Sequence, residues 1–296
     1  MNPSHLVLFA MFPLCAFSQS ARKLDQEKEI QRRIAELNDE ITRENRTTSP
    51  AEKQFAIKAS PELHEASERE VARRFSTMDY LTSQVHGQVD EYITAAVDPA
   101  HVDPKAVERG LQQIIGPMCD TPPSAFILDT PTGRSLIVVY ALQKGVLMGP
   151  QGTSATVRAY NVRNGGMQLA DATGTDMNGY GNVSVRQLPA PPSGGKWLLV
   201  WGQMTGANGP NIRMRAYAYD GAKFRTMWMP ENSWGAFTID VTEQGFTVDG
   251  LYYRESGERH DRYFVADDGL YRQAPICAEF TAPRPGGRGN PTAAFR

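Results

Sequence analysis

Two short apolar runs and the segments that follow them decide the fold. The first run is LIVVYAL at residues 136–142, and VRAY follows it at 157–160. The second run is LLVW at 198–201, and MRAY follows it at 214–217. β-Branched and aromatic residues are concentrated in these segments, which is typical of buried strands. The sequence therefore predicts a strand-rich region in which one pair of strands occurs twice.

Around these runs, short apolar segments alternate with turn signals. Glycine, asparagine and aspartate mark the breaks, for example at Asn164-Gly165, Asp220-Gly221 and Asp268-Gly269. Short strands joined by tight turns favour an antiparallel meander over a parallel βαβ sheet. The predicted strands cover 125–129, 136–142, 155–162, 182–188, 197–203, 212–219, 224–229, 236–242, 246–252, 262–266 and 270–272.

The strand-rich region is predicted to contain repeated units. Two units cover 136–188 and 198–243, and a third, shorter unit covers 246–272. Four-stranded units of this length with an Asp-Gly turn resemble β-propeller blades, and the resemblance covers about half of the chain. Closed propellers use at least four blades, so an open arrangement is favoured. The whole chain also resembles exported bacterial proteins of unknown function, a resemblance that implies no site residues.

The region before the strands has helical periodicity. Apolar residues at Ile30, Ile34, Leu37 and Ile41 form a stripe of a and d positions in a charged segment. The stripe predicts a helix with one apolar side. That side either docks on the body of the same protein or recruits a partner, which includes self-association as a coiled coil.

A second helical block follows at residues 60–117. Ser60 is a good N-cap and Pro61 suits the first helical position. The pair Asp98-Pro99 breaks the pattern, and Asp103-Pro104 restarts it with the same cap and proline. Gly116-Pro117 stops it. Together with the strands, these helices predict an α+β fold: N-terminal helices followed by an antiparallel β meander, built as a sandwich, a partly open barrel or propeller-like units.

The first twenty residues have the layout of a secretory signal. An apolar stretch at 6–17 is followed by small and polar residues and then by Arg22 and Lys23. The sequence therefore predicts a mature chain that begins near 20–22 in a periplasmic or secreted protein. The alternative is a buried N-terminal helix in a cytoplasmic protein.

Export has a consequence for the cysteines. Removal of the signal takes Cys15 away and leaves Cys119 and Cys277 in a compartment that favours disulfides. The two residues lie just before the first predicted strand and just after the last. A Cys119–Cys277 disulfide that ties the ends of the β region is therefore predicted, with two separate buried thiols as the alternative.

The predicted organisation has five parts. They are a signal peptide at 1–21, a charged helix and linker at 22–59, a helical block at 60–117, a repeat-containing antiparallel β domain at 118–278 and a disordered tail at 279–296. The net charge is −2, from 31 basic and 33 acidic residues, so no overall field attracts nucleic acid or anionic lipid. No segment after the signal has the roughly 20 apolar residues of a transmembrane helix.

Motifs for catalysis or metal binding are missing from the sequence. The histidines and cysteines lack the His-x-x-x-His and Cys-x-x-Cys spacings of metal sites. The segment DMNGYGN at 176–182 has the oxygens and glycine of a calcium loop, but Gln187 stands where an EF-hand needs an acidic residue. A plain turn is therefore favoured. The sequence predicts no catalytic residue, no metal and no cofactor.

The aromatic residues are the best indication of a binding site. Three of the four tryptophans lie in predicted strands, whereas Trp234 lies in a predicted loop beside Glu231 and Asn232. Exposed rings stack on sugars or anchor protein partners. We therefore expect Trp234, Glu231 and Asn232 to form the binding site of a non-catalytic module for an envelope protein or polysaccharide. Two alternatives stay open: an enzyme that acts on an envelope or extracellular polymer with a carboxylate pair, and a helical adaptor.

Overall fold

The computed structural model describes most of the helical and strand-rich parts of the chain. Described residues are 12–46, 61–144, 152–174, 177–189, 196–206, 209–228, 237–243, 245–251, 258–265 and 271–273. Within these ranges the helices are α1 (Phe12–Arg46), α2 (Pro61–Ala96) and α3 (Pro104–Ile114), followed by a 3₁₀ turn (Gly116–Met118). The strands are β1 (Ser124–Thr130), β2 (Gly133–Gln143), β3 (Thr153–Arg163), β4 (Gly166–Ala172), β5 (Gly181–Leu188), β6 (Lys196–Gly206), β7 (Gly209–Tyr219), β8 (Phe224–Trp228), β9 (Phe237–Thr242), β10 (Gly245–Leu251), β11 (Glu258–Val265) and β12 (Tyr271–Gln273).

The short helix α3 begins where the sequence predicts a restart. Asp103 is its N-cap, and the carboxylate accepts a hydrogen bond of 2.9 Å from the backbone N–H of Lys105. Pro104 occupies the first helical position, where no backbone N–H is needed. The buried side chains Val107, Leu111 and Ile114 lie on one face of the helix. Cap and apolar face together explain why the chain turns back into a helix here.

The strands form three antiparallel sheets of four strands each, which we call the first (β1–β4), second (β5–β8) and third (β9–β12) sheets. In each sheet the strands are adjacent in chain order, as in a meander, and none of these described sheets closes into a barrel. The α+β class with an antiparallel β region is therefore confirmed.

One strand was not predicted. β4 (Gly166–Ala172) follows the Asn164-Gly165 turn, but its side chains are mostly half-buried or exposed. It therefore lacks the long apolar run of strands such as β2 and β6.

The helices and sheets stack in layers. A first core joins the helices to one face of the first sheet, a second core lies between the first and second sheets, and a third lies between the second and third sheets. Strand β2 belongs to two of these cores: Leu136, Val138 and Tyr140 face the helices, whereas Ile137 and Val139 face the second sheet. Burial on both faces explains why LIVVYAL is an unbroken apolar run.

The apolar stripe of α1 is buried within the chain. Ile30 and Ile34 are each 1% exposed, Ile41 is 5% exposed, and Leu37 packs against the same core. Docking on the body of the protein, the first of the two interpretations of the stripe, therefore accounts for it in this structure. Self-association through α1 stays a prediction that would need displacement of these contacts or another face of the helix.

The first two sheets place equivalent residues in the same register. Val138 of β2 pairs with Arg158 of β3, and Val200 of β6 pairs with Arg215 of β7. In the third sheet Val248 pairs with Asp261. The predicted units begin at the second strand of a sheet, whereas each sheet begins one strand earlier. The internal repeat itself stays a prediction.

The predicted ends of the chain are only partly described. α1 begins at Phe12 and continues without a break through the expected cleavage region near residues 20–22. The predicted tail at 279–296 lies outside the described residues. The signal peptide, the disordered tail and the domain boundaries stay predictions.

Candidate functional site

A groove lies where three β-turns and the α2–α3 connection meet. The turns are those between β1 and β2, β3 and β4, and β7 and β8; we call the space between them the turn-end groove. Its volume is about 600 Å³, and it is open to solvent on one side. Pro99, Ala100 and Val102 of the α2–α3 connection form one wall. A concave site of this size is within the range of small-ligand and peptide pockets.

Buried polar groups hold the turns of the groove together. Ser135 of β2 is 1% exposed, and its hydroxyl donates to Oδ1 of Asn161 on β3 at 2.6 Å. The amide of Asn161 donates to the carbonyl oxygen of Gly221 at 2.6 Å, and the Tyr219 hydroxyl donates to Asn161 Oδ1 at 3.4 Å. These bonds join the first sheet to the β7–β8 turn of the second. The groove is therefore a rigid feature of the stacked sheets.

Close packing of two turns completes the groove. Gly221 has a φ of +94°, and a Cβ at this position would lie 1.9 Å from the hydroxyl oxygen of Thr132 in the β1–β2 turn. Only glycine fits both the left-handed backbone and the contact. The Asp220-Gly221 turn, which the sequence marks as a strand break, therefore also sets the distance between two sheets.

The lining of the groove combines an apolar floor with a basic rim. Ile127, Leu136 and Met167 contribute apolar surface, and Val162 is 50% exposed. Two arginines, Arg134 and Arg163, also line it. Arg134 lies 3.4 Å from Asp129 in a pair that is largely exposed on both sides. Arg163 forms no ion pair with any residue in the described ranges.

A second cluster of polar residues lies between α2 and the first sheet. Arg158 of β3 binds Asp90 of α2 with both ends of its guanidinium, at 2.8 Å from Nε to Oδ1 and 2.5 Å from the second nitrogen to Oδ2. The Tyr160 hydroxyl donates to the same carboxylate at 2.6 Å. Burial, followed by the charge of Asp90, raises the pKa of Tyr160 far above its ordinary value. The cluster is a buried set of hydrogen bonds that joins helix α2 to the first sheet.

One helical turn before Asp90, His86 of α2 contacts a tyrosine and a serine of the first sheet. Its Nδ1 lies 2.8 Å from the Tyr140 hydroxyl and its Nε2 lies 3.4 Å from Ser154 Oγ. Burial, with smaller effects from Arg158 and Lys144, lowers the pKa of His86 to about 3. A serine beside a histidine is a nucleophile–base pair in some enzymes, but a base with so low a pKa accepts a proton weakly at neutral pH. The contact fits a structural role.

The third polar contact of α2 involves a buried lysine. Lys144 at the end of β2 is 2% exposed, and its ammonium group binds Asp79 of α2 and lies 3.4 Å from Asn178 Oδ1. Asn178 belongs to the segment that was compared with a calcium loop. Its side-chain oxygen faces a fixed cation, which fits the turn interpretation. In the described part of the chain no three histidine, cysteine or acidic side chains are grouped as metal ligands.

The residues predicted to bind lie outside the described ranges. Trp234, Glu231 and Asn232 fall in the segment 229–236, and Cys277 follows the last described strand. The remaining tryptophans are described: Trp197 is buried, and Trp201 and Trp228 pack against the core between the second and third sheets. The three described tryptophans therefore pack in or against the core.

Cys119 is half-buried at the edge of the first sheet, where its backbone forms an isolated antiparallel β-bridge with Leu142 of β2. Burial raises the pKa of its thiol to about 12, with a smaller effect from Asp120. No disulfide joins any two residues that the structure describes. Its pairing with Cys277 stays a prediction.

Sequence reasoning did not single out the groove. Arg134 follows Gly133, and Arg163 precedes the Asn164-Gly165 turn, so both flank turn signals that the sequence shows. Nothing in the sequence indicates that these turns meet. His86 and Asp90 carried a weaker signal, because two polar residues four apart on a helix share one face.

Comparison of the chain with protein-family models, with curated proteins and with solved structures gives no match. None of the described helices is long and apolar enough to cross a membrane.

Proposed function

We propose that the protein is a non-catalytic binding module of the cell envelope that holds a protein or polysaccharide partner in the turn-end groove. The observation that carries this proposal is the groove itself: a concavity of about 600 Å³ with an apolar floor and an arginine, Arg163, that no described residue neutralises. Binding sites are commonly concave and mainly apolar, with a few polar groups that fix orientation.

Rigidity of the groove supports binding. The Ser135–Asn161–Tyr219 cluster and the contact of Gly221 with Thr132 join the β7–β8 turn to the β1–β2 turn and to strands β2 and β3 before any partner arrives. A preformed site loses less conformational entropy on binding than a mobile one. The cluster of Asp90, Arg158 and Tyr160 fits a structural role instead, since its polar groups are already bonded to one another across the interface between α2 and the first sheet.

The expected location follows from the N-terminal sequence. An exported module would meet envelope or extracellular partners, and the signal-like residues 1–20 are the only support for export. The carboxylate-pair enzyme and the helical adaptor remain alternatives. Glu231, Asp240, Glu255 and Glu258 are acidic residues that could form such a pair, and of these only Asp240 has a described side chain, which is exposed.

A photo-crosslinking experiment tests the proposal. A benzophenone amino acid replaces Val162 in the groove or, as a control, Met227, which is 37% exposed on β8 and does not line the groove. Both proteins are incubated with envelope extract of the native host and irradiated. We expect a discrete adduct from position 162 alone. The adduct should weaken at least fivefold when Arg163 is also changed to Glu, and should persist with Arg213→Glu, a change at an exposed β7 arginine.

Two results would contradict the proposal: equal adducts from both positions, or no adduct that depends on Arg163. Trp234, with Glu231 and Asn232, stays a second candidate for the same function. If that loop is the site, Trp234→Ala should abolish capture of the partner while Arg163→Glu leaves it intact.

A further inference from the structure

We infer that the natural occupant of the turn-end groove is a short peptide segment that places a carboxylate beside aliphatic side chains, and not a sugar chain. This inference rests on the proposed binding function and selects one of its two partner classes.

The lining of the groove is poorly suited to sugars. None of the described lining residues is aromatic, whereas sugar rings are usually bound by stacking on aromatic faces. Sugar hydroxyls also need several free hydrogen-bonding groups. Here the best-placed polar side chains, Ser135 and Asn161, already bond to each other and to Gly221. A sugar in the groove would exchange its bonds to water for few bonds to protein.

The apolar floor suits aliphatic side chains. The apolar surface that a partner can reach is that of Val162, which is 50% exposed, and of the half-buried Ile127 and Val102, whereas Leu136 and Met167 below them are each 1% exposed. Burial of a Val or Leu side chain on such a surface contributes to binding through the hydrophobic effect. A partner with no apolar groups would leave the exposed surface of Val162 and Ile127 in water.

The rim determines the charge of the partner. Arg163 is exposed, with its guanidinium free of described acidic partners, and Arg134 has only the solvated pair with Asp129. A guanidinium group favours an anion, and its planar shape suits a carboxylate with two parallel hydrogen bonds. Phosphate shares this chemistry, but inorganic phosphate offers nothing to the apolar floor. The combination of floor and rim therefore points to an acidic, aliphatic peptide.

A peptide array provides the test. Immobilised hexapeptides carry random Ala, Val, Leu and Ile residues around one central Glu, and matched arrays carry Gln or Lys at that position. Fluorescently labelled protein is applied to the three arrays and to an array of neutral and acidic oligosaccharides. We expect at least tenfold stronger binding to the Glu array than to the Lys array. Millimolar inorganic phosphate should compete only weakly.

Charge reversal at the rim makes the test specific. Arg163→Glu should shift the preference from the Glu array to the Lys array, and Arg213→Glu should leave the preference unchanged. Equal binding of the wild-type protein to the Glu, Gln and Lys arrays would overturn the inference, as would Arg163-dependent binding to oligosaccharides. In both cases a crosslink from position 162 would still support the binding function. Absence of that crosslink would instead contradict the proposed binding function.

Discussion

Arg158 of β3 and Asp90 of α2 form a two-bond ion pair that fastens the second helix to the first sheet. The side chain of Arg158 is 9% exposed and that of Asp90 is 22% exposed. Tyr160 donates to the same carboxylate, so both oxygens of Asp90 are bonded. A buried pair of this kind stabilises the fold little compared with apolar packing, but loss of one partner leaves a buried charge unsatisfied.

Replacement of Asp90 should therefore be costly. We expect Asp90→Ala to lower the free energy of unfolding by about 3 kcal/mol, because Arg158 would keep its charge in a nearly dry site. Urea denaturation followed by circular dichroism measures the change. The control is Arg225→Ala, which breaks an exposed pair with Asp220 and should cost less than about 1 kcal/mol. Similar losses in the two variants would show that Arg158 is hydrated in solution.

Stability should depend on pH through His86. Its pKa is about 3 in the folded protein and ordinarily 6.5, so the unfolded chain binds more protons between these values. The free energy of unfolding is therefore not reduced by His86 above about pH 6.5, and it falls as the pH drops toward 3. We expect a loss of up to about 2 kcal/mol between pH 7 and pH 5 that is absent in His86→Gln.

The matched control for His86 is His101→Gln. The side chain of His101 is 86% exposed, beside Asp98. Its replacement should leave the pH dependence of the wild-type protein unchanged. If His86→Gln loses stability as steeply as the wild-type protein over this range, another group is responsible.

The contact between the β1–β2 and β7–β8 turns can be tested with two glycines. Gly221 and Gly165 both have positive φ values, +94° and +76°, but only Gly221 would bring a Cβ against Thr132. Gly165→Ala should cost about 1 kcal/mol from backbone strain alone. Gly221→Ala should cost clearly more, because the side chains of Thr132 and Thr130 must also shift away from the new Cβ. Thermal unfolding of the two variants measures the difference, and equal costs would mean that the threonine side chains make room for the new Cβ without loss of stability.

The cysteine pairing is open to direct chemical test. Cys119 bridges to β2 of the first sheet, so a bond with Cys277 would link that sheet to the segment that follows β12. We expect protein isolated from the native host without reductant to contain no free thiol after denaturation. A tryptic peptide pair joined by Cys119 and Cys277 should disappear on reduction. Two titratable thiols in that protein would contradict the prediction.

Export of the chain should be visible at its N-terminus. We expect N-terminal sequencing of protein from the native host to begin near residues 20–22, because the apolar stretch at 6–17 precedes small residues. Such cleavage would shorten α1 by about a quarter of its 35 residues and leave the buried stripe from Ile30 onward in place. Recovery of Met1 would contradict export.

Local signals were sufficient for most of the elements. The pair Asp103-Pro104 predicted the start of α3, and short segments bounded by turn signals predicted every described strand except β4. β4 was missed because its partly exposed side chains carry no strong pattern and its place in the sheet depends on pairing with β3. The stripe at Ile30, Ile34 and Ile41 predicted an apolar helix face but left its partner open.

The sequence by itself determined what depends on neighbouring residues. Caps and prolines bound the helices, glycine turns separate the strands, and LIVVYAL identifies a strand buried on both faces, since burial and backbone preference act at each position in turn. Only the tertiary structure decided which surfaces meet. Thr132, Arg163 and Gly221 lie far apart in the chain and come together at one groove because the first two sheets stack face to face. Such stacking depends on the fit of whole side-chain layers, which no local pattern records.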